Sequence, residues 1–458
     1  MFPDQGAKEL AGAHEAVGAP KLGFQWLFPA VSFSLALLLG AQWAFYSPDA
    51  ASYRLLALGQ NGAVARPFAD RILGAAAAGW LGRVTGLGVD RGFFLFGIGC
   101  LMVLLILMMR LLWSWRSSTV VFAAIFLMPF WVDLFHDYYL PDLLHATLLA
   151  ALLLSLVSGR ITVAMLLLFP AYVARESTQL IVLCLVLAAW RRLPTRAVAA
   201  GVLAVVAGAL VSRHYGNLGA PGAQGVGTAS YLLGKAGWSF FHNILGLPLW
   251  SNVLPECRSP FWVAALPHGY HFGAVRIIGL CPPSAWGPAR VLLSWFGIFG
   301  IGPALGIAFF RPLLASAGAS RASVPSHIPG DSAADGLTIA YRFSVIYGLI
   351  SLLLAPLLGA STDRLVEYAW PFFFVALPIF LVGHPRLVRG IGRSRAGWLL
   401  ALHLVVSWIA WWAFRNQATP GYIYAGFAAF VLNIVAYALI RLSQPAQIAM
   451  TSAAQQTA

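Results

Sequence analysis

Carboxylate side chains are rare in this chain, and several of them lie beside long apolar segments. Only 15 of the 458 residues are Asp or Glu. Asp49 follows the first long apolar segment, and Asp137 stands next to His136 in a short polar stretch after a later one. A carboxylate that is partly removed from water gains basicity and can take a proton from a hydroxyl group. This placement predicts that Asp49, Asp137 and His136 are catalytic.

Some of these carboxylates also have a simpler interpretation. Ser47, Pro48 and Asp49 are residue types that commonly begin a helix. Asp142 follows Pro141 and begins the next predicted helix in the same way. Because a helix start holds its first side chains rigidly, Asp49 can both begin a helix and serve in catalysis.

Arginine side chains accompany the carboxylates. Arg175 and Glu176 are adjacent in a turn between two apolar segments, where they belong to a site or form only a neighbouring ion pair. Arg364 follows Asp363 at the start of another apolar segment. A guanidinium group pairs with two oxygens of a phosphate at once. Arg364 is therefore the best candidate for holding a lipid phosphate.

The segments that must position these residues are strongly apolar. The chain is 60% hydrophobic and 10% charged, with a mean hydropathy of +0.79, whereas soluble proteins contain about 25% charged residues. The sequence thus predicts an all-α polytopic integral membrane protein with about 12 transmembrane helices. Their predicted ranges are 25–45, 92–112, 118–135, 141–157, 160–174, 178–191, 196–212, 291–310, 338–358, 367–383, 396–414 and 421–441.

The loops indicate an N-in, C-in orientation, because Lys and Arg concentrate on cytoplasmic loops. The later short outer loops hold only Arg175, Arg364 and Arg415. The first outer loop breaks this pattern, which indicates that something anionic is held there, unless a long loop is translocated regardless of its charge. Its arginines are Arg54, Arg66, Arg71, Arg83 and Arg91. Most Asp and Glu residues also fall on the outer side, so the chemistry is predicted at the outer face.

We expect one catalytic domain without internal repeats. The predicted parts are a cytosolic tail at 1–23, a transmembrane domain at 24–442 with outer loops 46–91 and 213–290 and an inner linker 313–336, and a cytosolic tail at 443–458. Amphipathic interfacial helices are predicted in the first outer loop. The second outer loop is rich in Gly, Pro and aromatic residues, which favours short helices at the membrane interface.

Two smaller patterns make local predictions. Cys257 and Cys281 share the second outer loop and form a disulfide if that loop faces an oxidising compartment. The segment G-I-F-G-I-G-P at 297–303 predicts close packing or a bend within an apolar helix.

Several function classes are excluded by what the chain lacks. The net charge of +14 is explained by basic residues near anionic headgroups, and no basic stripe interleaved with polar helix indicates nucleic-acid binding. No phosphate-binding loop, nucleophile elbow or zinc-protease signature is present. His268 and His271 have a ligand-like spacing but no third ligand.

Three motifs resemble the GT-C superfamily of polytopic membrane glycosyltransferases. The first is Asp49 with Tyr53, followed by an R-P-F-x-x-R segment from Arg66 to Arg71. The second is Asp137 in the second outer loop, with Asp142 near it. The third is D-R-x-x-x-Y-x-x-P, made by Asp363, Arg364, Tyr368 and Pro371.

This resemblance implies a transferase that takes a sugar from a polyprenyl-phosphate donor and places it on a glycan or lipid acceptor. The site would face the periplasm or outside of an inner, or plasma, membrane. Asp49 would be the general base. The resemblance further implies the following groups: Arg66, Arg71, Arg175, Arg364 and Tyr53 at the donor phosphate, and Asp142, Glu176 and Asp363 at the acceptor or in support. Such chemistry proceeds without a metal, or with a divalent cation (Mg or Mn) between Asp49 and Asp137, and the sequence leaves both open.

Two other functions stay open. A secondary transporter or flippase would place ionisable or Gly/Pro-broken positions near mid-span in two similar halves, whereas the charges here collect at one face. An outer-face polymer ligase or acyltransferase would need a catalytic His or Arg in a large outer loop. The 213–290 loop and its border supply His214, His242, His268 and His271.

Overall fold

The fold was analysed in a computed structural model. It describes residues 22–41, 48–64, 68–115, 117–189, 192–219, 236–247, 249–251, 270–272, 275–318, 331–358, 362–384, 391–416 and 421–442. The predicted tails at 1–23 and 443–458 lie almost wholly outside these residues. Arg66, Cys257 and part of the 313–336 linker also lie outside them.

The described residues are predominantly helical, as predicted. The helices are α1 (Leu22–Gln25), α2 (Leu27–Leu35), α3 (Pro48–Ala57), α4 (Ile72–Val84), α5 (Val89–Ser114), α6 (Thr119–Phe126), α7 (Phe130–His136), α8 (Asp142–Val157), α9 (Ile161–Leu166), α10 (Leu168–Ala174), α11 (Thr178–Ala188), α12 (Thr195–Leu218), α13 (Trp286–Gly297), α14 (Gly302–Ala308), α15 (Phe310–Gly318), α16 (Asp331–Leu358), α17 (Thr362–Glu367), α18 (Leu377–Gly383), α19 (Arg393–Arg415) and α20 (Gly421–Leu442). Short π-helical turns occur at Ala36–Gly40, Phe240–Ile244 and Phe372–Ala376, and 3₁₀ turns at Asn61–Ala63 and Phe68–Asp70.

Seven helical segments in the described part are long and apolar enough to cross a membrane, which indicates a multi-pass membrane protein. They are Val89–Ser114, Thr119–His136, Thr195–Leu218, Ala334–Leu358, Thr362–Gly383, Ser394–Arg415 and Ile423–Leu442. An eighth is formed if the bent pair α13 and α14 is one span.

Every predicted span coincides with an apolar helix, but four of those helices are short. They are Leu27–Gly40, Asp142–Val157, Ile161–Ala174 and Thr178–Ala188. The longest of them has 16 residues and extends about 24 Å, less than the roughly 30 Å of a bilayer core. The count of about 12 spans therefore stays a prediction. A further short apolar helix, α4, lies in the segment predicted as the first outer loop.

The 213–290 segment differs from the prediction of interfacial helices alone. Beside the π turn at Phe240–Ile244 it contains an antiparallel sheet of β1 (Leu249–Ser251), β2 (Tyr270–Phe272) and β3 (Val275–Leu280), in the order β1-β3-β2. Tyr270 pairs with Ile277, and Phe272 pairs with Val275. These β-branched and aromatic residues favour strands, a signal that the overall composition of the loop conceals.

The predicted bend at 297–303 is confirmed by a 75° angle between α13 and α14. Gly300 has a positive φ of 54°, a conformation that L side chains rarely adopt. Two side chains from later helices satisfy the backbone groups that the break exposes. Asn433 donates to Phe296 O at 2.7 Å and Gly300 O at 3.2 Å and accepts from Ala304 N at 3.2 Å. His403 Nδ1 accepts from Ile301 N at 3.3 Å.

The segment predicted as the first outer loop contributes to a second, smaller hydrophobic core. Helix α3 packs against α4, and α4 packs against α5. The buried side chains of this core include Tyr53, Leu56, Ile72, Phe93 and Leu140. This core holds the start of α3, where Asp49 lies, against the rest of the bundle.

Candidate active site

Asp49 lies in the first turn of α3. The same helix buries Tyr53 and Leu56, which are 2% and 3% exposed. Because these buried side chains fix α3, the Asp49 carboxylate is held rigidly while its side chain stays 34% exposed. Asp49 can thus begin the helix and still be reached by a substrate.

Arg364, on α17, faces Asp49. Its Nη1 lies 3.8 Å from Asp49 Oδ2, and its Nε lies 3.9 Å from Asp142 Oδ2. Both distances exceed that of a hydrogen bond. Within the described part of the chain, Arg364 Nε and Asp142 Oδ2 are buried atoms without a hydrogen-bond partner. The guanidinium is therefore held by charge between two carboxylates, without hydrogen bonds to either.

Arg175 forms a closer ion pair than Arg364 does. Its partner is not Glu176, the residue next to it in sequence. Its Nη1 donates to Asp142 Oδ1, and both side chains are almost fully buried. Its guanidinium carbon lies 4.8 Å from the centre of the Tyr368 ring, a distance that allows a cation–π contact. The pairing of Arg175 with adjacent Glu176, one of the two alternatives above, is thus not what the structure contains.

Glu176 pairs with Arg71 instead. Arg71 Nε donates to Glu176 Oε2 at 2.7 Å, and Nη2 donates to Oε1. Arg71 Nη1 also donates to Tyr53 OH at 2.9 Å. Burial alone would raise the pKa of Glu176, but the hydrogen bonds and charge of Arg71 lower it below its ordinary value. Glu176 is therefore ionised and fully engaged with Arg71.

Asp137 lies close to the same charges. Burial raises its pKa to about 7, the charge of Arg364 lowers it, and the charges of Asp142 and Asp49 raise it. Its Oδ1 is buried without a hydrogen-bond partner among the described residues. At neutral pH Asp137 is thus divided between the protonated and ionised forms, and it can either donate or accept a proton.

A second ionic cluster surrounds Arg415 at the end of α19. Arg415 donates to Asp133, and its Nη1 lies 2.9 Å from His136 Nε2 and 3.0 Å from Nδ1. The carboxyl of Glu367, which is 5% exposed, lies near Asp133. His136 therefore belongs to this cluster, together with Arg415 and Asp133.

Asp363 pairs with Arg290 on α13. It accepts hydrogen bonds from Arg290 Nη2 at 2.6 Å and Nε at 3.2 Å. Arg290, Arg415 and Glu367 were not predicted as site residues. Arg415 could have been identified from the sequence, because it is one of the few basic residues of the short loops predicted on the outer side. Arg290 has no such sequence signal, since it lies at the predicted start of an apolar helix.

The described residues do not form a protein metal site. No three His, Cys, Asp or Glu side chains among them are arranged to hold an ion. Asp49 and Asp137 supply only two carboxyl groups, and the positive charge of Arg364 lies 3.8 Å from the first. The divalent cation (Mg or Mn) that the sequence left open thus finds no group of three such ligands among the described residues, and no step is assigned to it.

Comparisons of this chain with protein-family models, with curated proteins and with solved structures find no match, so its chemistry is inferred from the geometry of these residues.

Proposed function

We propose that this protein is a membrane glycosyltransferase that transfers a sugar from a polyprenyl-phosphate donor to a glycan or lipid acceptor. The observation that carries the proposal is the pairing of Asp49 with Arg364. One is an accessible carboxylate on a fixed helix start, and the other is a guanidinium without a hydrogen bond to it, 3.8 Å away. The resemblance of three motifs to the GT-C superfamily supports the same function.

The two side chains suit the two groups that react in a glycosyl transfer, the acceptor hydroxyl and the leaving phosphate. Asp49 takes the proton from the acceptor hydroxyl, whose oxygen then forms a bond to the anomeric carbon of the sugar. The bond between that carbon and the phosphate oxygen breaks, and its electron pair leaves with the polyprenyl phosphate. Arg364 stabilises the negative charge that develops on this leaving group. The proton remains on Asp49 until solvent removes it.

The other predicted donor residues have supporting roles in this proposal. Arg71 and Arg175 already donate to Glu176 and Asp142. Breaking the buried Arg175–Asp142 pair would leave a charge without a partner, which costs about 3–5 kcal/mol. Arg71 is held by two hydrogen bonds to Glu176 and one to Tyr53. They therefore contribute positive potential to the phosphate position, and Tyr53 orients Arg71. The contribution of Arg66 stays a prediction from sequence, since it lies outside the described residues.

The proposal places the site on the periplasmic or outer face, in an N-in, C-in protein with about 12 spans. One observation favours this side. Cys281 is disulfide-bonded and shortly precedes α13, whose Arg290 binds Asp363 beside Arg364. Disulfides persist in oxidising compartments, so the end of the bundle that carries the site fits the outside.

A flippase or transporter is the main competing function, because broken helices often line transport sites. Here the break between α13 and α14 is closed by side chains of the protein itself, Asn433 and His403. This leaves fewer backbone groups for a transported ion. The break therefore favours a structural role over a transport site.

The test is donor turnover by the purified full chain in lipid nanodiscs. A panel of polyprenyl-phosphate hexoses and pentoses is supplied with the lipid extract of the expression host as acceptor, and release of polyprenyl phosphate is measured. We expect Asp49→Asn to lower turnover about 100-fold or more, the usual contribution of a general base. The matched control is Asp90→Asn, an exposed carboxylate paired with Arg54, which keeps wild-type turnover. Wild-type turnover by Asp49→Asn would overturn the proposal.

A further inference from the structure

A groove lies at the end of α5 that is remote from the candidate active site. Its volume is about 450 Å³, and its lining residues are Trp26, Met109, Arg110, Trp113 and Ser114. Phe93, near the other end of α5, belongs to the smaller hydrophobic core that also contains Tyr53. Trp113 follows Phe93 by 20 residues of the same helix, which extend about 30 Å, the thickness of the hydrocarbon core of a bilayer. Because α5 is one of the candidate spans, the groove lies at the membrane face opposite to Asp49.

Arg110 supplies the positive charge of this groove. Its side chain is exposed. The ion pairs within the described ranges of the chain are made by other arginines, and none of their carboxylates pairs with Arg110. A guanidinium group can bind two oxygens of a phosphate at once. Arg110 is therefore placed to bind the phosphate of a lipid headgroup.

Two tryptophans border Arg110. Trp26 directly precedes α2 and is 42% exposed, and Trp113 follows Arg110 by about one turn of α5. Tryptophan is enriched where a membrane meets water, because its ring is apolar and its N–H group is polar. Helix α2 also packs against α5. A headgroup in the groove would therefore contact both the first helical segment and α5.

An exposed apolar surface of α5 leads from Arg110 toward the middle of the helix. Ile106 and Met102 precede Arg110 by four and eight residues, and they are 38% and 50% exposed. Residues four apart lie on the same face of a helix. An acyl chain can therefore lie along α5 while its phosphate is bound by Arg110. A phosphate without acyl chains would not use this surface.

We propose that the groove binds one anionic phospholipid, with its phosphate at Arg110 and its headgroup between Trp26 and Trp113. An acyl chain follows Ile106 and Met102. The lipid is anionic because the second positive charge of a choline headgroup would be repelled by the guanidinium. In the proposed N-in, C-in orientation the groove faces the cytoplasm, where the membrane surface is negative. This inference does not rest on glycosyl transfer, since the groove and the candidate active site lie at opposite ends of α5.

The test measures lipid binding to the purified full chain in neutral detergent by native mass spectrometry. Dioleoyl phosphatidylglycerol and dioleoyl phosphatidylcholine are compared, because they share their acyl chains and differ in headgroup charge. We expect the first phosphatidylglycerol to bind about tenfold more tightly than the first phosphatidylcholine, the effect of one charge-assisted contact. Arg110→Gln should remove this preference, and because Arg110 is exposed the variant should fold.

Arg441→Gln is the matched control. Arg441 is exposed near the end of α20, and its Nε donates to Tyr437 OH at 3.2 Å. This variant should keep the wild-type preference. Equal binding of the two lipids by the wild type would overturn the proposal, and so would an equal loss of preference in Arg110→Gln and Arg441→Gln.

Two further measurements identify other occupants of the groove. Glycerol 1-phosphate carries the phosphate without acyl chains, and we expect that it does not displace the bound phosphatidylglycerol. Displacement at comparable concentration would assign the groove to a free phosphate, against the proposal. If Arg110→Gln keeps the lipid preference and unfolds at a lower temperature, Arg110 pairs with a carboxylate of the chain itself, and the proposal is wrong.

Discussion

Arg364 and Asp49 face each other across 3.8 Å without a hydrogen bond. The two neighbouring arginines differ in this respect, since Arg175 donates to Asp142 Oδ1 and Arg71 donates to Glu176. A loose ion pair contributes about 0–1 kcal/mol, whereas separating a buried hydrogen-bonded pair costs several kcal/mol. An incoming phosphate can therefore recruit Arg364 at little cost, while the other two arginines stay where they are.

The first prediction follows from this difference. Arg364→Ala should raise KM for the polyprenyl-phosphate sugar about tenfold or more, because a charge-assisted bond to phosphate is lost. KM for the acceptor should change much less. Steady-state kinetics with each substrate varied in turn will measure both.

The control for this prediction is Arg54→Ala. Arg54 donates to Asp90 at 3.0 Å, and both side chains are about half exposed. Neither KM should change in this variant. An Arg364→Ala enzyme that lost acceptor affinity instead would assign the guanidinium to the acceptor side.

The second prediction concerns Asp137 and pH. Burial raises its pKa from 3.8 to about 7. Between these pH values the folded protein holds a proton that the unfolded chain has released, so the free energy of unfolding falls as pH rises. This difference in pKa corresponds to a change of at most about 4 kcal/mol in the free energy of unfolding. Asp137→Asn should remove this decline, and thermal unfolding measured in mild detergent across that pH range will show it.

Asp70→Asn is the control for the pH experiment, because Asp70 is also an aspartate outside the candidate membrane spans, at the end of a 3₁₀ turn. It should keep the wild-type decline. An Asp137→Asn protein whose unfolding temperature still falls with pH as in the wild type would show that another group is responsible.

The apolar pattern predicted the positions of the helices well, because burial in lipid or in the bundle imposes a simple composition. The sequence also singled out Arg175 and Arg364 as candidate site residues, and both lie near carboxylates. The pattern could not predict the partners. Arg175 pairs with Asp142 and not with the adjacent Glu176, which binds Arg71 instead. The packing of helices that are distant in sequence determines which side chains meet. Arg290 and Glu367 were missed for the same reason.

The third prediction tests the broken helix. Asn433 is 3% exposed and hydrogen-bonds to both sides of the break between α13 and α14. Asn433→Ala leaves these buried backbone groups without partners, at about 1–3 kcal/mol each. We expect a clearly lower unfolding temperature. Asn416→Ala, which removes an exposed amide that donates to Trp412 O, should unfold near the wild-type temperature. Equal stability of the two variants would mean that Asn433 does not hold the break.

The last prediction concerns how α3 is held in place. An added Cβ on Gly79 of α4 would lie 2.3 Å from Ala57 O and 3.1 Å from Ala57 Cα. Backbone atoms cannot yield as a flexible side chain does, so Gly79→Ala must push α3 away from α4. Asp49 lies on α3, and a displacement of about 1 Å can cost about 100-fold in rate.

We therefore expect Gly79→Ala to lower donor turnover more than it lowers binding of farnesyl phosphate, a short polyprenyl monophosphate. Gly99→Ala is the matched control, since an added Cβ there meets nothing within 4 Å and alanine favours the helix. It should keep wild-type turnover. If Gly79→Ala is also fully active, close packing of α3 on α4 does not set the position of Asp49, and the carboxylate must be held by contacts at the start of α3 instead.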